Sequence, residues 1–229
     1  MSTWSDTMRE PDVQLRYDPL VRFVRAHPGT VLEVGGGIAG IAPFLNRQVT
    51  GCDPYFLGRK GKRADWRGAA PHPNIIPVGG SATKIPFPDN HFDIVLSTDM
   101  LEHLERAQRK VAIQECVRVS KKFVLIGFPC GASAAKWEAR LFSAGKKIFG
   151  KEHRWLKEHL QYGIPSEQEV IKLLYGLSYR MRGHINVWLW ATITILSAVA
   201  TPLGWLLYPF ARIGNFPPYY RRLIIIEKQ

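Results

Sequence analysis

The chain predicts a doubly wound, mainly parallel α/β sheet, and three observations carry that expectation. Short β-branched and aliphatic runs alternate with helically patterned stretches from Val31 to Phe128. The first run leads into a glycine-dense turn, TVLEVGGGIAG from Thr30 to Gly40, where the backbone must bend sharply and bring N–H groups close to a ligand. The run Phe92–Ser97 is apolar on alternate and intervening positions, as a strand covered on both faces requires.

Residues 1–29 read as a polar lead and a short helix from Pro19 to His27, closed by Pro28-Gly29. Val31–Val34 is the first strand, and a helix is expected over Ile38–Asn46. Val49–Cys52 is a short second strand with Asp53 at its end. The basic, Gly/Pro-rich stretch 57–73 should form a loop. Ile75–Val78 is the third strand, ended by Gly79-Gly80-Ser81, and Pro86 to Asn90 supplies Pro and Asx turn chemistry. Strand Phe92–Ser97, helix Leu104–Val119 and strand Phe123–Phe128 complete the alternating half. Ala134–Phe149 then places Trp137, Leu141, Ala144 and Ile148 on one helical face. Ser166 follows Pro165 and precedes Glu169 with capping-box spacing, opening a helix that runs to about Gly176. Tyr179–Val187 and Arg222–Glu227 are the remaining strands.

With 229 residues, 46% hydrophobic and 22% charged, the chain can bury a core and is not disordered. Cys52, Cys116 and Cys130 are too few and too separated for a disulfide framework, and no Cys/His group has zinc spacing. The first residues lack an apolar leader, so a cytoplasmic location is expected. The net charge of +12 is unevenly placed. Residues 1–105 hold 11 basic and 12 acidic side chains (−1), and residues 106–229 hold 20 and 7 (+13). Such a half suits an anionic membrane surface, a phosphate-bearing substrate or nucleic acid.

From Gly183 to Ala211 there is no Asp, Glu, Lys or Arg. A membrane crossing needs about 20 apolar residues, and Pro202 and Gly204 divide the run before that length. A single crossing would also separate Arg222–Glu227 from its sheet. A re-entrant or shallow helical hairpin over 187–211, on the cytoplasmic membrane face, resolves both conflicts. Arg180, Arg182 and Arg212 flank it, and Trp155, Trp188, Trp190 and Trp205 suit an interface. An apolar lid or a dimer interface packed on protein is the alternative, and the oligomeric state stays open.

Gly35, Gly37 and Gly40 have G-x-G-x-x-G spacing, which fits a dinucleotide site or an S-adenosylmethionine (SAM) site. Asp53, 18 residues after Gly35, stands where a carboxylate accepts ribose hydroxyls. The run IPFPDNHFDIVLSTDMLEHL, Ile85–Leu104, ends in Asp99, Glu102 and His103. In VLEVGGG, GCDP and this last stretch, the sequence resembles the class I SAM-dependent methyltransferases, small-molecule branch, from Val31 to Phe128. An NAD-linked dehydrogenase would give the last stretch no role. The resemblance implies a Rossmann-like, seven-stranded sheet, mostly parallel, with RRLIIIEK as an antiparallel last strand and a basic and apolar helical insertion near the C-terminus. Residues 1–29 then form an N-terminal helical lead. Residues 30–229 form the methyltransferase domain, with a basic acceptor-side insert at 133–165 and an apolar membrane-associating insert at 187–211.

The resemblance further implies SAM as methyl donor. Glu33 and the Gly35, Gly36 and Gly37 backbone would hold its amino-acid end, Asp53 its ribose, and Ser97 to Asp99 would lie beside the methionine moiety. Ser81, just before Ala82, stands where the family usually places an acid on the adenine amino group, so a hydroxyl, backbone or water must serve there. His103, His153 and His159 are candidate bases, with near-neutral pKa, for an oxygen or nitrogen nucleophile. His103 is the best placed, and His103 and His159 are the expected catalytic residues. Asp99, Glu102 and His103 also resemble the acidic pair and histidine that ubiquinone-pathway O-methyltransferases use near a divalent cation; the rest of that pattern is missing, and no metal is expected. Lys151–Pro165 sits where the family places its acceptor-recognition insert. Glu158, His159 and Tyr162 would line that pocket, or the segment's cations would face lipid phosphates. The expected partners are a small or lipid-linked methyl acceptor and an anionic membrane surface. A nucleic-acid-directed enzyme and a non-catalytic SAM-fold partner protein are the competing readings.

Overall fold

The computed structural model describes residues 10–57, 70–150 and 154–228. Strand β1 (Val31–Val34) is buried along its whole length at the middle of the sheet, paired in parallel with β2 (Val49–Asp53) and β4 (Phe92–Thr98). β3 (Ile75–Gly79) extends the sheet beyond β2, and β5 (Ser120–Pro129) beyond β4, again in parallel. β7 (Tyr219–Glu227) runs antiparallel between β5 and the edge strand β6 (Tyr179–Asn186). The order is therefore β3-β2-β1-β4-β5-β7-β6, seven strands with an antiparallel last one, as the sequence predicts.

The two-residue period of the strands divides the core. On one face Leu32, Val34, Val95, Val124 and Ile126 pack with Ile113 and Cys116 of helix α2 (Arg106–Val119). On the other, Val31, Ile94, Leu96 and Leu125 pack with Val13, Leu20 and Val24 of helix α1 (Pro11–Ala26). The parallel strands thus end together at one edge, with Val34, Asp53 and Thr98 at their tips, where open α/β sheets place their ligands. The remaining helices are α3 (Gly131–Phe149), α4 (Arg154–Tyr162), α5 (Glu167–Leu173), α6 (Val187–Val199) and α7 (Thr201–Ile213).

Several boundaries differ from expectation, each for a local reason. Helix α1 begins at Pro11, at a helix start where a missing N–H is harmless, and carries Pro19 in its interior. A proline there leaves the carbonyl four residues earlier without its donor. His184 Nε2 supplies one from β6, 2.8 Å from the Leu15 carbonyl oxygen. The helix expected over Ile38–Asn46 is reduced to a 3-10 turn at Ala42–Phe44, because Gly37 and Gly40 adopt φ of 62° and 50° and Pro43 follows. A 3-10 turn, Leu101–His103, precedes α2 and delays its start. Helix α5 opens on Ser166, whose Oγ accepts from Glu169 N at 3.1 Å, and ends at Leu173 ahead of Gly176, at φ 83°.

The uncharged run forms a hairpin of two helices, α6 and α7, that meet at Ala200, with Pro202 in the first turn of α7. Among the described residues no helix is long and apolar enough to cross a membrane. Asp18 of α1 clamps α7, accepting from Tyr208 Oη at 3.0 Å and pairing with Arg212 Nε at 3.0 Å. Trp190, expected at an interface, is instead 6% exposed and stacks on Tyr220, with ring centroids 3.5 Å apart. Trp188 is the exposed tryptophan of α6, and the Trp155 side chain lies outside the described residues.

The account of Pro19 is testable by a mutant cycle. His184→Ala leaves the Leu15 carbonyl unsatisfied and should cost about 1–3 kcal/mol in chemical denaturation. Pro19→Ala, which returns the missing N–H, should stabilise the His184→Ala protein by more than it stabilises the wild type. Equal effects in both backgrounds would refute the compensation.

Candidate functional site

The loop after β1 is built around the Glu33 carboxylate, which is 2% exposed. Ile41 N donates to Oε2 at 2.6 Å and Tyr17 Oη to Oε1 at 3.0 Å. A Cβ on Gly36 would lie 2.5 Å from Glu33 Cδ, and one on Gly40 would collide with Oε2, so these two glycines make room for the acid. Burial pushes the Glu33 carboxyl up to about 7 against the opposing effect of the Ile41 and Tyr17 bonds. Glu33 therefore shapes the loop from inside. At Gly35, with φ of 79°, a Cβ would meet only Met100 at 3.7 Å, which leaves a cradle on that side of the turn.

Asp53 closes the cradle from the tip of β2. Its Oδ2 accepts from Gly37 N at 3.1 Å and its Oδ1 from Tyr55 N at 2.7 Å. Each carboxylate oxygen has a second lone pair, so two hydroxyls can still be received. Ser97, fully buried, donates Oγ–H to the Val34 carbonyl at 2.7 Å and ties β4 to β1. Ser81 Oγ accepts from Thr83 N at 3.3 Å and pairs with Thr83 Oγ1 at 3.0 Å, so its hydroxyl holds its own turn, beside the buried Ala82.

Asp99 follows β4 in a left-handed conformation, φ 55°, which Asp tolerates better than most residues. It pairs with Arg16 of α1, 2.7 Å from Oδ2, and with Arg221 of β7. Arg16 Nη2 also lies 3.6 Å from Asp12 Oδ2, so two guanidinium groups meet two carboxylates at this end. Arg16 Nε and Thr98 Oγ1 are buried without a hydrogen-bond partner. An α-amino acid moiety, with its carboxylate and ammonium, complements such a mixed group. The sequence reading missed Arg16 and Arg221; Arg16 falls in what was read as a polar lead, and nothing local marks Arg221 as turned inward.

One turn further, the structure brings His103 and His159 together, their Nε2 atoms 3.2 Å apart. His103 Nδ1 donates to Glu158 Oε2 at 2.9 Å, and His159 Nδ1 to Glu138 Oε2 at 2.7 Å. Tyr220 Oη in turn donates to Glu138 Oε1 at 2.6 Å. Glu102, fully buried, has Oε1 4.0 Å from His159 Nε2. Burial pushes its carboxyl up to about 8, while burial and then the neighbouring His159 push the His103 imidazole down to about 4. His153 lies outside the described residues.

Arg109 joins the two halves of this cluster. It is completely buried. Its Nε donates to the Leu101 carbonyl at 2.9 Å, in the turn that carries Glu102 and His103. Its terminal nitrogens reach the carbonyls of Tyr162 (3.1 Å) and Gly163 (2.5 Å) at the end of α4, and Glu169 Oε1 at 2.7 Å. Tyr162 thus contributes its main chain to the framework. Gly163, at φ 77°, ends α4 in the left-handed conformation that exposes these carbonyls.

Residues 32–125 match the family model described as a methyltransferase domain. Among solved structures, a Pyrococcus horikoshii OT3 protein aligns at 16% identity and a TM-score of 0.54, over 94% of this chain and 89% of that one. A SAM-dependent methyltransferase from Thermotoga maritima aligns at 15% and 0.52, over 95% and 91%. Magnesium protoporphyrin IX methyltransferase from Synechocystis PCC 6803, with bound SAH, aligns at 13% and 0.50, over 100% and 89%. At these identities the likeness concerns the fold. No curated protein matches the sequence.

Replacing Arg109 by Met keeps much of its volume but abandons the half-buried Glu169 carboxylate and four carbonyls. The loss should be about 3–5 kcal/mol in denaturant unfolding. A change below about 1 kcal/mol would mean that the guanidinium does not hold α4 to the sheet.

Proposed function

We propose that this chain, whose residues 32–125 match a methyltransferase-domain model, uses SAM to methylate a small amphiphilic or lipid-linked acceptor at the cytoplasmic face of a membrane. The methyl donor's residues are those of the cradle: the Gly35–Gly37 backbone and Asp99 with Arg16 and Arg221 at the amino-acid end, and Asp53 at the ribose. SAM supplies an electrophilic methyl on a sulfonium, and the protein's share is in-line positioning and activation of an oxygen, nitrogen or carbon nucleophile. The His103–His159 pair with Glu102 is where that nucleophile is activated.

The single observation that carries the membrane reading is the outer surface of the hairpin. On α6, Trp188, Ile195 and Val199 are 54%, 46% and 72% exposed; on α7, Leu203, Leu206, Phe210 and Ile213 are 37%, 67%, 63% and 85% exposed. Their spacings put each set on one helical face. Exposed apolar stripes of this kind mark interaction sites. Exposed cations accompany them: Arg180 and Arg182 on β6, Arg212 at the end of α7, and Lys136, Arg140, Lys146 and Lys147 on α3. Apolar stripes with flanking cations suit anionic lipid better than a nucleic-acid track, which wants aromatics for stacking along a polar groove. The hairpin also reaches the cluster, through Trp190 on Tyr220, Tyr220 on Glu138 and Glu138 on His159.

Flotation with anionic liposomes tests this reading. The wild type should rise with the vesicles, and a Leu206→Glu/Phe210→Glu variant should remain below while still binding SAM. Asp53→Ala should do the reverse, floating normally with SAM affinity reduced at least about tenfold, the loss of a charged hydrogen-bond acceptor. A wild-type chain that never floats defeats the membrane reading.

A further inference from the structure

We infer that Glu102, His103 and His159 form a binding site for a divalent first-row transition metal. Each offers one ligand atom, and the three atoms lie within 4.8 Å of one another. The donors come from two separate elements, the 3-10 turn after β4 and the helix α4, which Arg109 binds together. Asp99, the acid one turn earlier, is engaged by Arg16 and Arg221 and takes no part.

The hydrogen-bond pattern points the ligands inward. Each imidazole has a carboxylate on Nδ1, Glu158 for His103 and Glu138 for His159. A proton held on Nδ1 leaves Nε2 of a neutral ring as an electron-pair donor. The two Nε2 atoms nevertheless face each other at 3.2 Å. With both protons on Nδ1 these nitrogens present lone pairs to each other, and a cation between them takes both in coordination. Two ligands each about 2.1 Å from a metal lie about 3.0–4.2 Å apart for angles from about 90° to 180°. The observed 3.2 Å between nitrogens and 4.0 Å from His159 Nε2 to Glu102 Oε1 fall in that interval, and the set as a whole spans no more than 4.8 Å.

Glu102 provides an independent sign. Both of its carboxylate oxygens are buried without a hydrogen-bond partner, and the residue is fully shielded from water. A buried carboxylate normally has a partner, and a metal beside His159 gives it one. The carboxylates on the outer imidazole nitrogens are the arrangement that orients histidine ligands in metal sites generally. Two imidazoles and a carboxylate favour Zn²⁺, Fe²⁺, Co²⁺ or Mn²⁺ over Ca²⁺, and three protein ligands leave a position open. On the reading that this cluster activates the acceptor, an acceptor hydroxyl bound there would lose its proton more readily to water, and its oxygen would take the methyl as the S–CH3 bond of SAM breaks and S-adenosylhomocysteine leaves. Metal binding itself does not depend on that reading.

The test is a titration of chelator-treated, full-length protein with Co²⁺, followed by its visible d–d absorption, with Zn²⁺ as competitor. The wild type should saturate at one equivalent, lose the bands on Zn²⁺ addition, and gain thermal stability with either metal. Glu102→Gln, close in shape, and His159→Ala should lose the bands while still binding SAM, which reports an intact fold. Glu138→Gln, which keeps an oxygen for Tyr220, should bind Co²⁺ roughly 10–100-fold more weakly. Absence of saturable bands in the wild type, or equal Co²⁺ binding by all variants, overturns the metal site. Neither result would touch SAM binding or flotation.

Discussion

Arg109 is the constraint on which the candidate active site depends. Its side chain is buried, and its donors reach the turn that carries Glu102 and His103, the end of the helix that carries His159, and Glu169 of α5. A fully charged side chain is tolerated there because carbonyls and a carboxylate surround it. Around it, His103–Glu158 and His159–Glu138 hydrogen bonds tie the same helix to the turn and to α3. Remove the guanidinium and the two elements are left with the His103–Glu158 and His103–His159 contacts between them at this point. The same logic recurs at Glu33, a buried acid that organises a glycine turn from inside, and at His184, a buried ring that replaces the donor missing at Pro19.

How far the sequence could be read follows from the range of the interactions. The strands were legible because their period and apolar content are local, and the nucleotide-side loop because glycine spacing and a strand-end acid are local too. The helical hairpin was legible from an uncharged run divided by Pro202. The start of α1 was not, because the residue that makes Pro19 acceptable lies far away on β6. The helix after β1 differs for the opposite reason: the apolar pattern there is helical, but Gly37, Gly40 and Pro43 within it leave only a 3-10 turn. His103 and His159 were each visible as titratable residues, and their meeting was not. It depends on contacts between distant segments, His103 with Glu158 and Arg109 with the end of α4, and Arg109 looks in the sequence like one more basic residue on a helix.

The structure also joins the two features that composition kept apart, a neutral ligand-binding half and a basic, apolar second half. The hairpin rests on α1 through Asp18 and on β7 through the Trp190–Tyr220 stack. Tyr220 holds Glu138, which orients His159. The surface proposed to meet lipid is thus a few packed side chains from the groups proposed to meet the acceptor. An acceptor with an apolar tail suits that geometry, its tail remaining at the hairpin while its head enters the sheet edge.

The most direct measurement follows the methyl group. Purified protein, SAM labelled in the methyl position, and a total lipid extract presented as vesicles should yield label that partitions into organic solvent. That label should vanish with Asp53→Ala and fall sharply with Leu206→Glu/Phe210→Glu. Label confined to aqueous small molecules or to added RNA, with none in the organic phase, would contradict the account.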